Sequence, residues 1–83
     1  MTLDEATSII EDLNDQAHDD CWDDWEFAGD DEELREEASM RQQMRFEELF
    51  DELLPYTQVK ILKLCISYKD LGEQFETYCG SSI

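Results

Sequence analysis

The first thirty-four residues carry fourteen Asp or Glu side chains and not one Lys or Arg. Like charges repel and work against compaction. Such a segment can join a fold only if its carboxylates reach water while its apolar groups turn one way. An amphipathic helix does this, and the sequence reads as one. At about 100° per residue, Ile9, Ile10, Leu13 and Ala17 fall on one arc, with Asp4, Glu5, Glu11, Asp12, Asp15 and Asp19 on the opposite one. Thr2 and Glu5 have the spacing of a capping box, which predicts a start at residue 2. Carried further, the same helix would bring Asp20 and Asp24 onto its apolar side, which predicts an end near residue 19.

Residues 20–30 then read as an acidic connector. Gly29 suits a left-handed turn, and Asp30 with Glu33 suits a helix start. Asp30, Asp31, Glu32 and Glu33 lie where the helix dipole favours anions. A second helix is predicted over 31–54, with Leu34, Ala38, Phe46, Leu49 and Leu53 on one face and Glu36, Glu37, Glu47, Glu48 and Asp51 largely opposite. Met40 and Met44 fall among the acids, so they meet either a bend in the helix or a further surface. Pro55 is predicted to stop this helix. A third helix is predicted over 57–79, apolar almost all round except for a stripe of Lys60, Lys63, Ser67 and Asp70, which places it at the centre of the fold. Gly80 reads as its stop, with "GSSI" fraying beyond. With 83 residues, one domain is expected across 1–83, and an apolar fraction of 41% is enough for a core. The fold class expected is all-α: a small three-helix bundle with an acidic connector.

The charge restricts what such a bundle can do. The net charge is −17, of which residues 35–83 contribute only −3. A field of this sign repels nucleic acid and anionic membranes and draws cationic partners. Six bases are too few to neutralise a run of phosphates, so neither nucleic acid nor membrane is expected as a direct partner. Arg35, Arg41 and Arg45 are expected to pair with Glu at helical spacing, as Glu37 with Arg41. Acids stand at the N-terminus where a signal peptide needs bases, and no apolar run approaches a membrane span. Three cysteines without CxxC spacing read as free thiols, which with the missing signal predicts a cytoplasmic protein.

Enzymatic chemistry has little to build on. His18 is the sole histidine, and there is no phosphate-binding glycine loop, nucleophile elbow or HExxH. His18 and Cys21 would supply two zinc ligands at most without help from Cys65 and Cys79, and the carboxylates lack the alternating order of an EF-hand loop. No catalytic residue, metal or cofactor is expected.

Two constellations stand out as partner-binding candidates. One is the acidic arc of the first helix, with Asp4, Glu11, Asp12, Asp15 and Asp19. Carboxylates one turn apart on a rigid helix resemble a strand of phosphates, and the bland alternative is a solvated face. The other is the stretch from Asp20 through Trp22, Asp23, Asp24, Trp25 and Glu26 to Asp30, Asp31, Glu32 and Glu33. There an aromatic ring, Phe27 included, could enter a pocket while flanking acids pair with its basic rim. In the bland alternative the rings close the end of the bundle.

In size and charge, across the whole chain, the sequence is similar to small DNA-mimic proteins, many of them bacteriophage counter-defence proteins. It also resembles acidic immunity proteins and antitoxins that cap a basic nuclease. No motif carries either resemblance. The first implies an inhibitor of the anti-CRISPR or anti-restriction class, acting on a basic nucleic-acid-binding protein such as a nuclease, CRISPR effector, restriction enzyme or nucleoid protein. The second implies a dedicated inhibitor of one toxin or nuclease. A third expectation is an acidic adaptor with a mobile segment over 19–33, and a homodimer through Met40 and Met44 is a fourth.

Overall fold

In the computed structural model, which describes residues 1–79, every regular element is a helix. Five follow in order: α1 (Leu3–Asp20), α2 (Trp22–Ala28), α3 (Glu32–Asp51), α4 (Pro55–Ser67) and α5 (Lys69–Cys79). The all-α class is as expected, but the predicted connector holds a helix of its own and the predicted third helix is divided in two. The predicted stop at Gly80 and the tail beyond it lie outside the described residues.

α1 starts where its cap requires. Thr2 Oγ1 accepts the Glu5 N–H at 3.2 Å, and the Thr2 hydroxyl meets the Glu5 carboxylate at 3.2 Å. Ala6, Ile10 and Ala17 are fully buried on its inner arc. The chain then kinks at buried Cys21 (φ −105°, ψ 14°) and resumes as α2, so the expected connector over 20–30 is mostly helix. The kink answers the conflict in the helical wheel. Asp20 and Asp24 do turn to the inner side, and there they meet Arg45 and Arg41 of α3. Gly29 ends α2 at φ 53°, a conformation that other residues rarely adopt. Asp31, not Asp30, caps α3, accepting from the Glu33 and Leu34 N–H groups at 3.0 and 3.2 Å.

α3 stops at Asp51, short of the predicted residue 54. Gln58 Nε2 donates to the freed carbonyls of Asp51 and Leu53 at 3.1 and 2.8 Å. Pro55 opens α4 instead of lying between helices, in the first turn where a missing N–H costs nothing. The predicted third helix then breaks at Tyr68, which is extended (φ −120°, ψ 106°). α5 folds back on the last turn of α4, so closely that a Cβ on Gly72 would stand 2.7 Å from the Cys65 carbonyl oxygen. Only glycine permits that approach.

This break moves the core. Leu71, Phe75 and Tyr78 of α5 join Phe46 and Phe50 of α3 and Ile10 of α1 in one cluster. Phe75 packs edge-on to Phe50 at 5.1 Å and to Phe46 at 5.7 Å between ring centroids. The centre is therefore α3 between α1 and α5. α4, expected at the centre, lies at the margin: Ile61 is its one fully enclosed side chain, while Tyr56, Val59, Leu62 and Ile66 face outward. Met40 and Met44 also point outward from α3, so no bend hides them.

Candidate partner-binding surface

α1 sets out the acidic arc along its outward side. Asp4, Glu11, Asp12, Asp15 and Asp19 are all exposed. With Glu5 they make six carboxylates between residues 4 and 19, about 22 Å of helix at 1.5 Å per residue. That is roughly one charge per 4 Å, against about 3.4 Å of axis per phosphate on one strand of DNA. Among the described residues, ion pairs engage only Asp20, Asp24, Glu48 and Glu73. No ion pair neutralises the arc, although the Thr2 hydroxyl meets Glu5 and Glu11 Oε1 accepts from Gln74 Nε2 at 3.4 Å.

α2 and the turn after it extend the acidic surface. Asp23, Glu26, Asp30, Glu32 and Glu33 are exposed. Asp31 is exposed too, but its carboxylate is engaged as the α3 cap.

Asp20, Asp24 and Trp25 are tied to α3 instead. Asp20 accepts from Arg45 Nε at 2.7 Å and from Gln16 Nε2 at 2.8 Å, and the Arg45 hydrogen bond, then that of Gln16, holds its carboxyl below the usual range. Arg45 also reaches Glu48 at 3.0 Å. Asp24 pairs with Arg41 at 2.5 Å, so Arg41 does not serve Glu37 as the helical spacing suggested. Trp25 donates its indole N–H to Gln42 Oε1 at 2.9 Å, and Gln42 Nε2 donates to Asn14 Oδ1 at 3.0 Å, which links α2, α3 and α1. The Arg35 guanidinium lies 5.6 Å over the Trp25 ring and donates to the Gly29 carbonyl. Residues 20–29 are thus fastened to α3 by a row of polar side chains, an arrangement at odds with a mobile segment.

The other two rings differ. Trp22 is 50% exposed, edge-on to His18 at 5.5 Å, and Phe27 is 79% exposed. Both lie among free carboxylates, so they are the aromatic anchors available to a partner, and Phe27 has a better claim than Trp25.

Arg41, Arg45 and Gln42 position this surface, and the sequence reading gave them no such part. The signal that could have found them was the pair Asp20 and Asp24, which the helical wheel already put on the inner side. Acids on an inner face require bases opposite, and only α3 has two at matching i, i+4 spacing. The thiols are quiet by comparison. Cys21, Cys65 and Cys79 are free; burial first, then the Asp24 and Asp20 charges, push the Cys21 thiol up, and burial does the same to Cys65. Among the described residues no three His, Cys, Asp or Glu side chains converge as a metal site, and no helix is long and apolar enough to cross a membrane. No family model matches this chain, and no curated protein or solved structure is significantly similar to it.

Proposed function

We propose that this chain is a DNA mimic that occupies the basic nucleic-acid-binding site of another protein and blocks it. The observation that carries this reading is the α1 row, six outward carboxylates at nearly the linear charge density of a DNA strand. A cationic groove shaped for phosphates meets a rigid row of similar spacing and releases its bound anions as it would for DNA. The target class is a CRISPR effector, restriction enzyme, nuclease or nucleoid protein, and the role is that of a phage-type counter-defence protein in the bacterial cytoplasm. The chain itself performs no chemistry in this reading.

The test is retention of bacterial lysate on the immobilised chain, eluted with rising salt in the presence and absence of excess duplex DNA. The reading expects nucleic-acid enzymes or nucleoid proteins that leave at moderate salt and are displaced by DNA. Retained proteins that ignore DNA would sink it. Asp12→Asn with Asp15→Asn and Asp19→Asn should weaken retention at least tenfold.

Exposed Trp22 and Phe27 favour a second reading, an immunity protein or antitoxin that caps one basic nuclease. Aromatic anchors hold when charge is screened. This reading expects one partner retained at high salt, with Trp22→Ala and Phe27→Ala costing more than the Asp→Asn set. The adaptor reading needs a mobile 19–33 segment: rapid amide exchange there would support it, and protected amides would count against it.

A further inference from the structure

Residues 54–69 contain no Asp or Glu and hold all three lysines of the chain, Lys60, Lys63 and Lys69. α4 turns Val59, Leu62 and Ile66 outward at i, i+3 and i+7, with Ile66 86% exposed. Lys63 borders this stripe, Lys60 lies further round the helix with its ammonium 5.2 Å over the Tyr56 ring, and neither has an ion-pair partner among the described residues. On α3 the reverse arrangement occurs. Met40 and Met44, each 61% exposed and one turn apart, lie between Glu36, Glu37 and Glu47, which are also unpaired among the described residues. The molecule thus presents one apolar stripe edged with ammonium groups and one edged with carboxylates.

We propose that two copies of this chain pair reciprocally, the Val59–Leu62–Ile66 stripe of α4 in each seated on the Met40–Met44 stripe of α3 in the other. Lys60 and Lys63 then face Glu36, Glu37 and Glu47 across the contact. Charge complementarity selects this occupant. α4 against α4 would gather lysines on lysines. The α1 arc would answer the lysines but has no apolar group for Ile66. Methionine side chains are flexible and fill irregular gaps against branched residues. One helix pair alone falls short of the ~800 Å² per partner of a standard interface. Reciprocal exchange doubles the contact and closes the pair under two-fold symmetry. The α1 row is not used, so the pairing stands or falls apart from the mimic reading.

Sedimentation equilibrium of the 83-residue chain over a range of concentrations tests it, without nucleic acid or any other protein. The expected result is a monomer–dimer equilibrium. Lys60→Glu with Lys63→Glu should weaken the dimer at least tenfold, and Ile66→Asp should do the same. Adding Glu36→Lys and Glu47→Lys to the lysine variant should restore most of the affinity. All five positions are exposed, so helical circular dichroism should stay unchanged. A monomer at every concentration overturns the proposal and leaves the α4 face to a different protein. A dimer that tolerates the lysine reversal overturns it in favour of α4 on α4. Failure of the charge swap to restore pairing, or growth into open-ended assemblies, also overturns it.

Discussion

The two ends of the charge distribution are fastened in opposite ways. Residues 1–34 have fourteen acids and no base, yet their inner side is held by polar devices: Asp20 and Asp24 on the α3 arginines, and Trp25 on Gln42 and Asn14. Residues 54–69 have no acid, and α4 is held by buried Ile61, by part-buried Leu64 and Cys65, by Gln58 at the end of α3 and by a close backbone approach at Gly72. Apolar content thus says little about where an element sits. The more hydrophobic helix is the outlying one, because its continuation, α5, takes the place beside Phe46 and Phe50. The acidic helix is the inner partner because its few apolar groups are all on one arc.

The largest effect should come from Gly72. Its missing Cβ would stand 2.7 Å from backbone, which cannot move aside as a flexible side chain can. Gly72→Val should cost about 2–3 kcal/mol, as overpacking does in a tight site, measured by urea unfolding. For a domain this small that is a large share of the total. If Gly72→Val were neutral, α5 would not be packed against α4 as described.

The polar fastening is weaker piece by piece. Trp25→Phe keeps the ring but removes the indole donor, leaving part-buried Gln42 Oε1 without its 2.9 Å partner. The expected loss is about 1 kcal/mol. Trp22→Phe should leave stability unchanged, because its ring is half exposed and no hydrogen bond holds it among the described residues. Equal effects from the two would mean that α2 is held by ring burial and not by the Gln42 link.

Salt should separate the two regions without mutation. Fourteen acids repel one another in residues 1–34 against two arginine clamps, so screening removes more repulsion than attraction. Raising sodium chloride from about 0.01 M to about 0.15 M, which cuts the Debye length from ~30 Å to ~8 Å, should raise Tm by several degrees. Hydrogen exchange should slow most over α1 and α2 and least over α4. A fall in Tm would show that the clamps outweigh the repulsion.

These contrasts mark what was legible in the sequence. α1 could be read nearly residue by residue, since its cap and both faces are local patterns. The helical class and the exposed acids followed from the same periodicity. The breaks at Cys21 and Tyr68 could not be read this way, because each answers a distant partner. The Cys21 kink serves arginines 17 and 25 residues from the acids they bind, and the Tyr68 break serves an aromatic cluster on α3. Gly72 looked like an interruption to be tolerated, whereas its function is to let two helices touch. The arginines were misassigned for the same reason: Glu37 and Arg41 have good local spacing, but Asp24 is already in place and lacks any other cation.

The smallest predicted effect concerns pH and isolates one clamp. The Arg45 hydrogen bond, with that of Gln16, lowers the Asp20 pKa in the folded chain. A carboxyl whose folded pKa is depressed adds stability that is complete above its unfolded value, about 3.9, and that is lost as pH falls through the lower folded value. The stability supplied by this clamp should therefore hold from pH 7 down to about 4 and fall below that as Asp20 is neutralised. Asp20→Asn should reduce stability at pH 7 and remove this part of the acid loss, as read from urea midpoints across the range. An unchanged acid loss would assign it to other carboxylates and leave Arg45 held by Glu48 alone.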